Sequence, residues 1–306
     1  MRNLVIGCDG TWNDTDGELT NVASLLNACS ARNQVTHYEG GGGQGHLEAL
    51  PGGIYGKGLD RQILGGYRFL RKRFADADHE PADNRVFIFG FSRGASVARR
   101  LASLLSYSGV PVKAWDVELA WQLYQNQDAD SVAALKGEGP LKEIPIEMVG
   151  VWDTVKTTTD ADFDDHKLPE CVVAGYHAMA IDEQRKLFPV LKWNREGRVT
   201  QTWFFGVHSD VGRGYGQTAL SDIALQWMVD RGYGHGLRFK VSAINQLKSD
   251  PLDRIHDSYD GIWKGLGKRS RANSPSARIH DSVRARLEGR DDYQPGNLPP
   301  DPNYES

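Results

Sequence analysis

The stretch Val86-Phe87-Ile88-Phe89-Gly90-Phe91-Ser92-Arg93-Gly94-Ala95-Ser96 decides the fold. Its apolar start is typical of a parallel strand that is buried on both faces, and this strand ends at a G-x-S-x-G turn. Apolar residues then recur at helical spacing over residues 95–105, which predicts a helix. Strand, sharp turn and helix together hold a serine hydroxyl at the edge of a sheet, so the pattern predicts that Ser92 is a nucleophile.

The two glycines of the turn, Gly90 and Gly94, are expected to supply the room that close packing at such a turn requires. The pentapeptide alone is only moderately specific, because a chain with 34 glycines can contain it by chance. The alternative interpretation is a glycine-bounded strand-to-helix turn in which the serine merely caps the helix.

The composition is that of a globular protein, with 306 residues, 40% of them hydrophobic, and a formal net charge of −4. This charge gives no electrostatic reason to expect nucleic acid as a partner. The three cysteines, Cys8, Cys29 and Cys171, lack C-x-x-C spacing, which argues against a disulfide framework or a structural zinc site. We therefore expect no metal, no cofactor and a reducing compartment.

The start of the chain carries an apolar run, residues 4–6, that is too short for the apolar region of a signal peptide. No window approaches the roughly 18 apolar residues that a bilayer-spanning helix needs. The sequence thus predicts a cytoplasmic protein without a transmembrane segment, and it leaves peripheral contact with a membrane open.

Strand and helix patterns alternate along the chain without internal repeats, which predicts a single domain over residues 1–306. The predicted fold class is α/β: an α/β-hydrolase-like three-layer sandwich with a mostly parallel sheet, helices on both faces and a small helical cap. The cap is expected within residues 112–142, over the site. The tail, about residues 264–306, is basic and then rich in proline.

Hydrophobic periodicity sets the remaining predicted elements. Besides the strand before Ser92, strands are expected at residues 4–6, 35–38, 144–152 and 199–207. Helices are expected at residues 21–31, 60–74, 115–135, 172–187 and 220–229, the last one opened by Ser221 and Asp222 as an N-cap.

Two further reactive residues end predicted strands, where the functional residues of parallel sheets collect. Asp153 follows residues 148–152, and His208 follows residues 203–207. The order Ser92, Asp153, His208 is that of α/β-hydrolases. In such a triad the serine attacks a carbonyl carbon, the histidine takes the serine proton, and the aspartate holds the imidazole. For Asp153 taken alone, the alternative is a turn or cap residue.

Candidate donors for an oxyanion lie at two turns. The Arg93 amide opens the helix that follows the G-x-S-x-G turn, here called the elbow, and the turn after the first strand offers Gly10 or Thr11 as a second donor. Asp9, which begins that turn, is expected to support it.

Three residues compete for the roles of acid and base. Asp210 is a rival acid, but its place two residues after His208 favours ordering of the histidine loop. His177 and His280 are rival bases, and we expect both to lie in a helix or at the surface because neither follows a strong predicted strand.

Other motifs do not support a different chemistry. Residues 40–45 satisfy G-x-G-x-x-G only because they are a glycine run, and residues 52–58 miss the spacing of a phosphate-binding loop and its Ser/Thr. Asp9 lacks the preceding nucleophile of an aspartyl-phosphate loop. Residues 160–171 begin like a calcium loop but lack its glycine and its final glutamate, so a solvated acidic loop is the preferred interpretation.

With these segments identified, the chain resembles a bacterial and fungal family of α/β-hydrolases that includes the catalytic domain of type VI secretion phospholipase effectors. The segments that carry the resemblance are Cys8-Asp9-Gly10-Thr11-Trp12-Asn13, Phe89-Gly90-Phe91-Ser92-Arg93-Gly94-Ala95, Val149-Gly150-Val151-Trp152-Asp153-Thr154-Val155, His177-Ala178-Met179-Ala180-Ile181-Asp182-Glu183-Gln184-Arg185, Trp203-Phe204-Phe205-Gly206-Val207-His208-Ser209-Asp210-Val211-Gly212, Ile279-His280-Asp281-Ser282-Val283 and Tyr293-Gln294-Pro295.

The resemblance implies that Ser92, Asp153 and His208 form the triad of an esterase or phospholipase. By the same analogy alone, a secretion system or an immunity protein is a candidate partner, and export without a signal peptide is a candidate fate. Arg213 departs from the glycine usual in the family and is expected to narrow or charge the mouth of the site. We expect no large additional domain for membrane engagement after the catalytic region, an expectation that weakens the case for a phospholipid more than the case for a hydrolase.

Two functions are therefore weighed. The leading hypothesis is a serine hydrolase that cleaves carboxylic esters, with phospholipids or other lipid acyl esters as candidate substrates, by way of an acyl-enzyme. The alternative is a non-catalytic α/β-hydrolase-like protein that binds a ligand or regulates a partner.

Overall fold

A computed structural model describes residues 1–10, 19–41, 55–75, 83–111, 116–138, 141–155, 166–271 and 275–306. Within these residues the strands are β1 (Arg2–Cys8), β2 (Gln34–Glu39), β3 (Asn84–Phe91), β4 (Val110–Pro111), β5 (Leu141–Lys142), β6 (Ile146–Trp152), β7 (Val172–Ala180), β8 (Val199–Phe204), β9 (Arg278–His280) and β10 (Asn303–Glu305). The helices are α1 (Asn21–Ala28), α2 (Tyr55–Phe74), α3 (Arg93–Ser108), α4 (Asp116–Gln125), α5 (Ala129–Glu138), α6 (His208–Gly212), α7 (Ala219–Gly234), α8 (Val241–Ile244) and α9 (Asp281–Gly289), with a 3-10 helix at Gly261–Gly265.

Eight of these strands form one sheet in the order β10-β9-β8-β7-β6-β3-β1-β2, and each neighbouring pair runs parallel. β4 and β5 form a separate antiparallel pair. The predicted mostly parallel α/β sheet is therefore confirmed.

Helices cover both faces of the sheet, as predicted. Alternation along β3 shows why, because Val86 and Ile88 pack into one apolar cluster and Phe87 and Phe89 into the other. The first cluster is completed by α2, α3 and α4, and the second by α1, α7 and α9. Burial on both faces explains the uninterrupted apolar sequence of the central strand.

One predicted helix, residues 172–187, is wrong, because the chain there forms β7 between β6 and β8. A short apolar run fits a buried strand as well as a buried helix, and pairing on both sides decides for the strand. The predicted N-cap at Ser221 and Asp222 is also wrong, since α7 begins at Ala219 with Thr218 as its cap.

The described helices within residues 112–142, where a cap is expected, are α4 and α5. α4 packs against the last turn of α3, where Tyr107 meets Tyr124 and the Ser108 hydroxyl donates to the Ala120 carbonyl. That end lies about 24 Å from Ser92, the length of a 16-residue helix. The short β4 link after α3 keeps the following helices at this end.

The basic tail adds β9 and β10 to the edge of the sheet, which its sequence did not predict.

The carboxyl ends of the strands meet at one edge of the sheet. β1 pairs with β2 on one side and with β3 on the other, so the strand order reverses between β1 and β3. Such a reversal opens a crevice outside the strand ends, where parallel α/β proteins bind their ligands. Gly10 and Ser92 follow the two strands that border this point.

Candidate active site

The turn from β3 to α3, the elbow, is strained and closely packed. Ser92 joins β3 to α3 with φ 59°, in the left-handed region that side chains rarely adopt. A Cβ on Gly90 would lie 2.4 Å from the Gly94 carbonyl oxygen, and one on Gly94 would lie 2.2 Å from the Cys8 carbonyl oxygen. The prediction that both glycines supply room is confirmed.

The structure brings Ser92, Asp153 and His208 together in one chain of hydrogen bonds. His208 Nε2 lies 2.8 Å from Ser92 Oγ, and its Nδ1 lies 2.6 Å from Asp153 Oδ2. With the ring proton on Nδ1, the imidazole donates to the carboxylate and accepts from the serine hydroxyl. Asp153 follows β6 with φ 39°, so a second residue of this group has strained backbone.

The Asp153 carboxylate is fully buried and receives four hydrogen bonds. Oδ1 accepts from the Ala180 amide at 3.0 Å and from Arg271 Nη1 at 2.6 Å. Oδ2 accepts from His208 and from Arg271 Nη2 at 2.9 Å. Burial would raise the pKa of this carboxyl, but the Arg271 charge and the hydrogen bonds outweigh it and hold the pKa well below its usual range.

Sequence reasoning did not find Arg271. It lies in a basic stretch that contains several other cations, and no motif distinguishes it from them.

The His208 imidazole lies between two phenyl rings. The Phe91 ring centroid is 4.6 Å away, and the Phe188 ring meets the imidazole edge-on at 5.1 Å. Burial lowers the pKa of His208, although Asp153 acts in the opposite direction. The lowered pKa favours the neutral imidazole, the form that a general base must have.

A buried carboxylate, Glu183, holds the backbone at His208 and was also missed. Its Oε2 accepts from the His208 amide at 3.2 Å, and its oxygens accept from the Ser258 hydroxyl. Arg185 binds the same carboxylate through Nε and Nη2, both at 2.9 Å, and stacks on the Phe188 ring. The segment after β7 therefore supports both the backbone and the ring of the histidine.

The turn after β1 lies against the elbow, as predicted. A Cβ on Gly10 would be 3.3 Å from Ser92 Cβ and 3.6 Å from the Arg93 amide nitrogen. Asp9 is fully buried and accepts from the hydroxyls of Thr20 and Tyr38, which fixes the start of this turn. The other oxyanion candidate, Thr11, lies outside the described residues, as do residues 42–54 of the glycine-rich loop and residues 156–165 of the acidic loop.

Asp210 orders the loop that carries His208. Its Oδ2 accepts from the Val207 amide at 3.0 Å, and its Oδ1 pairs with His256 Nδ1 at 2.6 Å.

Arg213 Nη1 donates to the Ser24 hydroxyl on α1, at 3.1 Å.

His177 is not at the surface or in a helix, which corrects the prediction. It lies fully buried on β7, and burial lowers the pKa of its imidazole to about 3. Its Nε2 accepts from the Thr154 amide at 3.1 Å, so it fixes the residue after Asp153. His280 is the last residue of β9 and caps α9, and its ring stacks on Phe204, so contrary to the expectation it lies neither within a helix nor on the open surface.

A family model described as "T6SS, Phospholipase effector Tle1-like, catalytic domain" matches residues 2–231. The chain belongs to this Tle1-like family. Membership agrees with the resemblance seen in the sequence, and the matched region contains Ser92, Asp153 and His208. Arg271, Ser258 and His256 lie beyond it.

Individual relatives match only in part. The uncharacterized protein YEL023C of Saccharomyces cerevisiae is 28% identical over 226 residues, which cover 62% of this chain and 32% of the relative. An uncharacterized protein from Pseudomonas aeruginosa has a TM-score of 0.48 at 18% identity, over 79% of this chain and 47% of the other. The Tle1 effector bound to the VgrG spike of the type VI secretion system has a TM-score of 0.44 at 18% identity, over 70% of this chain and 51% of the other.

The chain thus spans about a third of the length of the yeast relative and about half of each solved chain. Among the helices of the described residues, none is both long and apolar enough to cross a membrane.

Proposed function

We propose that this chain is a serine hydrolase that cleaves carboxylic esters through an acyl-enzyme on Ser92. One observation carries the proposal: both nitrogens of His208 are engaged, one with Asp153 at 2.6 Å and the other with Ser92 at 2.8 Å. Both distances are within the reach of a proton transfer, so the serine can be activated where it stands.

In the proposed acylation step, Ser92 Oγ attacks the ester carbonyl carbon while His208 Nε2 takes the hydroxyl proton. Asp153 stabilises the imidazolium that forms and stays ionised. The tetrahedral intermediate then collapses, and His208 gives its proton to the departing alkoxide, so that an alcohol leaves and the acyl group remains on Ser92.

Deacylation repeats the sequence with water. His208 takes a proton from the water molecule, the resulting hydroxide attacks the acyl carbon, and the proton returns to Ser92 as the acid leaves. In both steps we assign the oxyanion to the Arg93 amide and to a donor of the turn at Gly10 and Thr11. The contact of Gly10 with the elbow supports this assignment.

Within this class we propose lipid acyl esters, phospholipids among them, as the substrates. Membership in a family of phospholipase effector catalytic domains supports this choice. The surroundings of His208 agree with it, because Phe91 and Phe188 flank the ring and Trp263 meets Phe188 edge-on at 5.3 Å. Apolar walls of this kind favour an acyl chain over a polar acyl group.

The family also supports a proposal about fate, namely that a type VI secretion system exports the chain. The test compares a strain with an active system and the same strain with the system disabled. Equal release from both strains, or release from neither, would contradict the proposal.

The test of the hydrolase proposal is the hydrolysis of p-nitrophenyl esters of graded chain length and of phospholipid vesicles. We expect Ser92→Ala to lower the rate by at least about 1,000-fold. Ser103→Ala is the matched control, because Ser103 lies on the same helix and its hydroxyl donates only to the Arg99 carbonyl among the described contacts. Wild-type rates in Ser92→Ala would leave the non-catalytic, ligand-binding alternative as the better account.

A further inference from the structure

The guanidinium of Arg271 is buried beside the three residues of the proposed triad and is fixed by four hydrogen bonds. Its side chain is 5% exposed, against 0% for that of Asp153. Nη1 donates to Asp153 Oδ1 at 2.6 Å and to the Ala180 carbonyl at 2.8 Å. Nη2 donates to Asp153 Oδ2 at 2.9 Å and to the Phe188 carbonyl at 2.9 Å.

These four bonds fix the plane of the Asp153 carboxylate. The two parallel bonds form a fork-to-fork pair, which sets both the distance and the tilt of the carboxylate. The carbonyls of Ala180 and Phe188 fix the guanidinium in turn. One lone pair of Oδ2 is left for His208 Nδ1, and the ring lies 2.6 Å away in that direction.

We infer that Arg271 is a positioning residue, which holds the Asp153 carboxylate for His208 and offsets its negative charge. The inference rests on the proposed function for its catalytic meaning, but its electrostatic part concerns the Asp153–His208 pair itself. Arg271 itself lies beyond residue 231, where the family match ends.

The charge balance gives the inference a measurable consequence. Without Arg271, the carboxylate and a neutral imidazole would carry one buried negative charge, which protonation of the ring would cancel. With Arg271 present, the guanidinium, the carboxylate and the neutral imidazole together carry no net charge. Protonation of the ring then creates a net positive charge, which burial disfavours. Removing Arg271 should make the pair bind a proton more readily, whichever of the two side chains takes it.

Other charged groups near His208 are the same in both cases. Glu183 accepts from the His208 amide and pairs with Arg185, and Ser92, Phe91 and Phe188 contact the ring. A shift that depends on Arg271 is therefore separable from the Glu183–Arg185 pair, which is left intact.

The experiment compares Arg271→Gln and Arg271→Lys with Arg286→Gln. Arg286 is another buried arginine of the tail, and it donates to the carbonyls of Pro251 and Asp253. The readout is the pH dependence of ester hydrolysis. Arg271→Gln should lose up to about 100-fold in kcat, and the acid limb of its profile should move up by roughly one pH unit.

The two other variants separate charge from geometry and from folding. Arg271→Lys keeps the charge but loses the fork, so its rate should fall while its acid limb stays at the wild-type position. Arg286→Gln should keep the wild-type limb. An unmoved limb in Arg271→Gln, or the same movement in Arg286→Gln, would overturn the inference.

A second measurement does not depend on catalysis. Titration of ¹⁵N-histidine by NMR, with the His208 signals assigned by their loss in His208→Gln, should show a higher pKa in Arg271→Gln than in wild type. Equal values would refute the inference even if no ester is hydrolysed. If Arg271→Gln does not fold, the titration compares Arg271→Lys with wild type. The lysine keeps the positive charge, so the inference predicts an unchanged His208 pKa, and a raised pKa would refute it.

Discussion

Asp153→Asn is the substitution for which the structure makes the strongest quantitative prediction. In the native site both carboxylate oxygens accept hydrogen bonds, and Arg271 donates to each of them. An asparagine has one acceptor and one donor group, so in either orientation its amide nitrogen must face an Arg271 donor, together with the Ala180 amide or with His208 Nδ1. In either orientation the buried guanidinium loses the charge that balances it.

The expected cost follows from that loss. Removing one partner of a buried ion pair costs about 3–5 kcal/mol in the free energy of unfolding. This part of the stability needs an ionised carboxylate, whose pKa lies below its ordinary value of about 3.9 in the folded chain. The difference between wild type and Asp153→Asn should therefore be complete at pH 7 and should begin to shrink below about pH 4.

The assay combines urea unfolding at pH 7 with ester hydrolysis, and Asp182→Asn is its matched control. Asp182 is partly buried, burial raises its pKa to about 6, and a single oxygen accepts from the Gly206 amide and the Tyr293 hydroxyl. An asparagine oxygen can replace it, so we expect a cost below about 1 kcal/mol. The rate should fall about 10,000-fold in Asp153→Asn only.

The reasoning would be refuted by an Asp153→Asn protein as stable as Asp182→Asn, because Arg271 would then not depend on the carboxylate. A rate within tenfold of wild type would refute the assigned role in orienting His208.

Three further outcomes follow from the structure. Gly94→Ala places a Cβ 2.2 Å from the Cys8 carbonyl oxygen. We therefore expect it to lower the free energy of unfolding in urea by about 1–3 kcal/mol and to abolish most of the ester hydrolysis. Gly137→Ala on α5, whose Cβ would have nothing within 4 Å, should keep the wild-type stability and rate. Because burial lowers the pKa of His208, the acid limb of kcat/KM should lie below about pH 6.5, and a limb above pH 7 would contradict this. The pKa of His177 is about 3 in the folded chain, so the unfolded chain protonates first and stability should fall from pH 6.5 downward; His177→Gln should reduce that slope by up to about 1.4 kcal/mol per pH unit.

Much of the fold, and the placement of the three proposed triad residues at one edge of the sheet, could be predicted from the sequence. The elbow has a strong local signal, because the apolar strand, the two glycines and the helical spacing all point to one geometry. Asp153 and His208 were found because strand ends of a parallel sheet meet at one edge, a rule that needs no knowledge of the pairing.

The rest depended on contacts between distant parts of the chain. The sequence predicts a helix in place of β7 because residues 172–181 are largely apolar without clear alternation, and only the neighbouring strands β6 and β8 determine the conformation. Arg271 reaches Asp153 across 118 positions of sequence, and an arginine in a basic tail is normally a surface residue. The cap over the site stays a prediction, because helical periodicity predicts a helix but not the end of the sheet on which it packs.

The most direct test of the central claim is the identification of the residue that a fluorophosphonate probe modifies. The probe reacts with a serine that a neighbouring base activates, so we expect one adduct per chain, on the peptide that contains Ser92. Labelling should disappear in Ser92→Ala, drop strongly in His208→Gln and persist in Ser103→Ala. A folded wild-type chain without an adduct, or with an adduct elsewhere that survives Ser92→Ala, would contradict the account.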